Sequence, residues 1–201
     1  MANANTPQGI RPINDNGTPW SGQGRMVCFL ASYASNVFLG DPVVPTGVTD
    51  SFGVPVVSLA TAGATNTILG GFNGICNGPQ GSGFTVTRDL PVYRQASVLT
   101  YGIVCDDPNQ LYVVQEDSNG GAIAASVAGF ANGNLVAGSG GSTVTGFSSW
   151  QLQSSSVSSS ANPTYQVKVL GLLRGPGNTI GAYADWVVRI NLPALWNASG
   201  Y

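Results

Sequence analysis

One stretch near the middle of the chain constrains the fold most. Val98 to Asp117 reads VLTYGIVCDDPNQLYVVQED, two apolar runs (Val98–Cys105 and Leu111–Gln115) separated by Asp106-Asp107-Pro108-Asn109-Gln110. Val, Ile, Leu and Tyr suit a pleated, half-buried surface. Pro108 sets φ, and Asp107 and Asn109 can hydrogen-bond their own backbone, so the chain is expected to reverse there. The pattern predicts a β-hairpin in the middle of an all-β core.

The flanks extend the same reading. Arg25–Tyr33 is a strand candidate, and Asn36–Leu39 leads into a turn at Gly40-Asp41-Pro42. Val43 to Ala60 mixes Val with Pro45 and Pro55, which predicts short edge strands or bulged segments, because proline cannot donate to a ladder. Ala62 to Gly83 is rich in Gly and reads as a long loop; Phe84–Leu90 alternates and resumes the sheet. Gly121–Ala128 is the one helix candidate, short enough to need packing on the sheet to survive. Gln151–Ser160 holds six Ser and reads as an exposed loop or edge. Tyr165–Leu173 and Asp185–Leu192 are two final strands around a turn at Arg174–Asn178. These signals predict an all-β fold, an antiparallel sandwich or barrel-like core with long Gly/Ser-rich loops. Residues 1–18 lack periodicity and are expected to form an extended N-terminal arm. Residues 19–201 are expected to form a single domain.

Charge is sparse, with six Arg, one Lys, eight Asp and one Glu in 201 residues, 8% of the chain and a net charge of −2. Ordinary domains carry roughly 25% charged residues. A surface so nearly neutral favours association, so either a loop-rich β protein or an assembly component fits. Six scattered Arg form no basic footprint for nucleic acid, and no apolar run is long enough for a membrane helix. The first residues show no secretory signal pattern, so synthesis in the cytosol is expected. Cys28, Cys76 and Cys105, an odd number at long spacings, read as free thiols.

A search for chemistry finds little. With no histidine, the Ser/His/Asp and Cys/His arrangements are excluded. Lys168 could in principle activate a serine, but it lies in an alternating strand pattern and reads as a lysine facing solvent. The paired carboxylates Asp106-Asp107 and Glu116-Asp117 are a candidate glycosidase pair or calcium site. About eight extended residues separate them, ~26 Å, whereas such a pair needs ~5–10 Å. They read as turn-forming, solubilising residues at opposite ends of a strand. No catalytic residue, metal ligand or cofactor is assigned, and no enzyme activity is expected. Trp20 and Trp196, near the two ends, read as anchors onto a partner subunit, whereas Trp186 reads as core. With Ile10, Arg11, Pro12 and Ile13 of the arm, they are the candidate partner-binding residues.

Several segments, in order, resemble a family of small head proteins of tailed bacteriophages. They are Ala2–Ile13 (ANANTPQGIRPI), Gly17–Trp20 (GTPW), Asn36–Val44 (NVFLGDPVV), Asp106–Asp117 (DDPNQLYVVQED) and Val167–Asn191 (VKVLGLLRGPGNTIGAYADWVVRIN). The resemblance implies a capsid decoration, or cement, protein without enzymatic activity. Such a protein would form a homotrimer, bind the outside of the phage head and bridge neighbouring subunits of the major capsid protein. The virion would be its location, with neither nucleic acid nor membrane as partner. The other reading of the residues is a carbohydrate- or receptor-binding β module of a phage tail or fibre, with Trp or Tyr on a free face.

Overall fold

The computed structural model describes residues 3–14, 17–18, 20–21, 24–81, 90–160 and 162–196. The fold is all-β, and its described strands form a closed barrel, an open sheet and a two-stranded ribbon. β1 (Arg11–Ile13) belongs to the open sheet. The barrel follows, from β2 (Arg25–Phe29), β3 (Pro42–Thr49), β4 (Pro55–Leu59), β5 (Gly70–Cys76) and β6 (Thr100–Val104), in the order β2-β4-β3-β5-β6. Alternate residues point inward, so Val27, Phe29, Val43, Val57, Phe72 and Val104 fill its interior. The rings of Phe29 and Phe72 meet edge to face at 5.5 Å, the geometry the aromatic quadrupole favours.

The open sheet has the order β1-β7-β12-β11-β8, all antiparallel, from β1, β7 (Leu111–Gln115), β8 (Asn132–Gly133), β11 (Val167–Leu172) and β12 (Asp185–Ile190). β9 (Leu135–Val136) and β10 (Gln151–Leu152) make the ribbon. One face of the sheet packs Tyr112, Val114, Val167, Val169, Trp186 and Val188 against Ile123, Leu135, Trp150 and Leu152 from the loops and ribbon. As expected, β11 and β12 pair around a turn. Asn178 closes it, donating to the carbonyls of Leu173 (2.8 Å) and Asp185 (2.9 Å) and accepting from Asp185 N (3.0 Å).

The central stretch departs from expectation. β6 and β7 do not form a hairpin with each other. β6 is paired on both edges, by β2 and β5, and β7 by β1 and β12. With no free edge left on either, Asp106–Gln110 carries the chain from barrel to sheet instead of folding it back. The turn chemistry itself is as read: Asp107 Oδ1 accepts from Asn109 N at 2.8 Å.

Three other expectations change. Ala62–Gly83 is not all loop, because Gly70–Cys76 is a barrel strand. Its glycines give close approach, since a Cβ on Gly70 would lie 1.8 Å from the Cys105 carbonyl oxygen. Gly121–Ala128 forms turns, not a helix; Ile123 and Ala128 each reach the core from irregular backbone. The helical content among the described residues is two 3₁₀ turns, Ser154–Ser156 and Ala194–Trp196. The serine run begins buried: Ser154 donates through N and Oγ to Asp117 Oδ1, both at 2.9 Å. Most of the expected strand Phe84–Leu90, residues 84–89, lies outside the described residues. β3 and β4 are bulged as expected, with the register shifting between Pro45 and Thr49, but barrel closure places partners on both sides of each.

The N-terminal segment is extended but does not stand free. Residues 8–10 cross the turn at Gly40, where Ile10 N donates to Gly40 O at 2.8 Å. The two backbones touch so closely that a Cβ on Gly9 would lie 2.2 Å from Gly40 O, and one on Gly40 2.1 Å from Gln8 O. Both glycines also have positive φ, +68° and +89°. Beyond the crossing, Ile10 is 1% exposed in the main core, and β1 completes the sheet.

Candidate interaction surface

The sheet has a second face, turned away from the core. Side chains alternate across a strand, and cross-strand partners share a face. The registers therefore place Arg11, Val113 and Val187 in one outward row, and Ile13, Leu111, Arg189 and Lys168 in the next. The Asp185–Gln115 pair makes a further row, and the middle of the face, Ile13, Leu111, Val113 and Val187, is aliphatic. Two neighbouring cavities open on it, of about 410 and 420 Å³. The second has Leu111, Leu170, Leu173 and Val187 in its wall, with Arg174. Ile13, Gly17 and Leu173 line both.

The candidate partner-binding residues separate here. Arg11, Pro12, Ile13 and Trp20 converge on the first cavity, together with Phe72 and Asn73 of β5. Trp20 is half-buried, and the Nδ2 of Asn73 is buried without a partner. Ile10 is not part of this surface, because it faces the core. The side chain of Trp196 lies outside the described residues. Of the remaining tryptophans, Trp150 and Trp186 are both buried, which removes them from any free face.

The acidic clusters sit at opposite ends of β7, as the spacing required. Asp106 pairs with Arg25. Glu116 does not serve solubility: it is fully buried, its Oε2 accepting from Trp186 Nε1 (3.0 Å) and Ile123 N (3.1 Å). Burial holds its carboxyl above the ordinary range. Asp41, also buried, accepts from Phe38 N at 2.8 Å, and burial pushes its pKa up to about 6. Among the described residues no group of three or more His, Cys, Asp or Glu is placed to hold a metal ion. The three cysteines are free, with Cys28 and Cys105 buried, and burial pushes the Cys28 thiol up to about 11, away from nucleophilic character. Lys168 is half-buried, its ammonium 5.9 Å from the ring centroid of the exposed Phe130.

No protein-family model matches the chain, and no curated protein or solved structure does either. The surface therefore has to be read from its own chemistry. Its cavities are lined mainly by apolar side chains with Arg11 and Arg174, and the registers place Lys168 and Arg189 on the same face, which suits the seating of a polypeptide. No described helix is long and apolar enough to cross a membrane.

Sequence reasoning did not pick out Leu111, Val113, Leu170, Leu173, Val187, Arg174 or Arg189. A signal was present in LYVVQ and DWVVRI, which are apolar at both odd and even positions. A strand solvated on one face alternates, so continuous apolar character marks a second face with something to cover.

Proposed function

We propose that the protein is a non-enzymatic virion structural protein, a capsid decoration or cement protein of a tailed bacteriophage. In this role it binds the outer surface of the head and bridges neighbouring major capsid protein subunits as a homo-oligomer, a trimer on the strength of the resemblance. One observation carries the reading. Ala2–Ile13, Asp106–Asp117 and Val167–Asn191, three segments of the resemblance that are far apart in sequence, supply β1, β7, β11 and β12. These four strands are consecutive neighbours in one sheet, and their outer face carries the aliphatic grooves. Segments shared for a common task are expected to meet in space, and these meet at the surface best suited to a partner.

A cement protein clamps subunits that would otherwise separate, and a ligand that binds only the assembled state stabilises that state by mass action. The test is to add the purified chain to phage heads lacking it. Saturable binding with a raised temperature of head disruption is expected. A chain that stays in solution while the heads remain intact refutes the proposal.

A further inference from the structure

Four of the seven cationic side chains gather on or beside the outer face of the open sheet: Arg11, Lys168, Arg174 and Arg189. Of the others, Arg25 is paired with Asp106, Arg94 is buried, and Arg88 lies outside the described residues. Lys168 and Arg189 are direct cross-strand partners. Like charges in that position oppose pairing, and Arg25–Asp106 is the one ion pair among the described residues. The fold thus sets two like charges in one outward row with Leu111, which lines an aliphatic groove of about 420 Å³, and the one described carboxylate on that face, Asp185, lies four residues from Arg189 along β12.

We infer that this face is a docking surface for an extended acidic segment of a different protein, its aliphatic side chains seated on Leu111, Leu170 and Val187 and its carboxylates on Lys168, Arg174 and Arg189. The identity of that protein as the capsid subunit rests on the function proposed above. Charge complementarity selects the occupant. A second copy of this chain is a poor source of negative charge, because all its described acids except Asp107 are buried, engaged in hydrogen bonds or an ion pair, or on the cationic face itself. Asp41 and Glu116 are buried, and Asp106 holds Arg25. Asp50 accepts from Tyr101 Oη and the backbone N–H groups of Phe52 and Val54. Asp117 accepts from Ser154 and Asn119. Asp185 belongs to the same outer face as the cations, and Asp107 alone is exposed. Nucleic acid fits poorly, since the floor offers aliphatic side chains where bases require stacking partners.

The test has two arms, both on the full chain. In the first, a short peptide alternating aspartate with leucine is titrated while backbone amides are followed by NMR. Shifts centred on Leu170–Arg174 and Val187–Arg189 are expected, weakening with salt. The Lys168→Glu/Arg189→Glu double variant should bind about tenfold more weakly or worse, and Arg25→Gln should bind unchanged. Shifts located elsewhere, or an unchanged affinity in the double variant, overturn the inference. So does equal binding of a DNA oligonucleotide, and so do the same shifts produced by concentrating the protein alone, which would assign the face to a second copy. Arg189→Gln should weaken peptide binding while leaving the melting temperature unchanged or higher, a combination that a structural role for Arg189 would not give. In the second arm the double variant is added to phage heads, and reduced decoration is expected; decoration equal to the native chain overturns the inference. Heads that bind neither protein, alongside a positive peptide arm, defeat the capsid reading and leave the docking surface standing.

Discussion

Trp186 Nε1 donates to Glu116 Oε2 at 3.0 Å inside the main core, joining the middle of the open sheet to the loop that follows β7. The same oxygen accepts from Ile123 N, while Glu116 Oε1 has no partner. This carboxyl is a structural acceptor. Glu116→Ala leaves the indole and an amide N–H without acceptors and opens a void, so a loss of about 3 kcal/mol or more is expected. Glu116→Gln keeps an acceptor for both donors and should cost much less. Urea denaturation of the two variants tests the difference; equal losses would contradict it.

Asp41 makes the pH dependence unusual. Its carboxyl is raised from 3.8 to about 6, first by burial and against the Ser148 and Phe38 hydrogen bonds. A folded pKa above the unfolded one means that the native state binds more protons between those values. The stabilising contribution is therefore full below about pH 4 and is lost as pH rises through 6, with a span of about 3 kcal/mol at most. Glu116 and Asp185, both raised chiefly by burial, act in the same direction. The melting temperature should rise from pH 7 to pH 5, and Asp41→Asn should flatten that rise. A fall in melting temperature on acidification over this range would contradict the assignment.

The fold class was legible because short runs of Val, Ile, Tyr and Leu between turn residues carry local information, and β2, β7, β11 and β12 lie where those runs lie. Pairing was not legible. Whether β6 meets β7 or β5 depends on which edges are already occupied, and no property of VLTYGIVCDDPNQLYVVQED records that. β5 was obscured because Gly70 and Gly71 are needed for contact with the backbones of Cys105 and Ile10, and glycine in a sequence reads first as a turn. Of the candidate surface, Arg11, Pro12, Ile13 and Trp20 were legible as apolar or anchoring residues near one end. Lys168 and Arg189 were not, because their meaning lies in the β11–β12 register.

Arg94 is buried without a carboxylate. Its guanidinium donates to the carbonyls of Tyr33 (2.8 Å), Ser35, Leu30 (2.9 Å) and Val98 (3.0 Å), and lies over the rings of Phe29 and Tyr33 at 5.7 and 5.3 Å. It pins two loops to the end of the barrel. Arg94→Met should cost about 3–5 kcal/mol by stranding those carbonyls, and Arg94→Lys should recover less than half of it, lacking the planar fork. Chemical denaturation measures both; a lysine variant as stable as the native chain would refute the fork.

The N-terminal segment was expected to act as an arm reaching a neighbour. With Ile10 in the core and β1 in the sheet, deleting residues 1–13 should destabilise the body itself. Ile10→Ala alone should cost about 2–5 kcal/mol, and the deletion more. A truncated chain with the native melting temperature would show that this packing contributes nothing and return the segment to the role of a detachable arm.

On the proposed function, this β protein coats a phage head and meets it through the outer face of its open sheet. A cryo-electron-microscopy reconstruction of the intact particle tests it most directly. Density for the protein is expected outside the shell, at the junctions between capsomers, with β7, β11 and β12 turned toward the major capsid protein. Density in the tail or fibre, or on the head with that face turned to solvent, would contradict it.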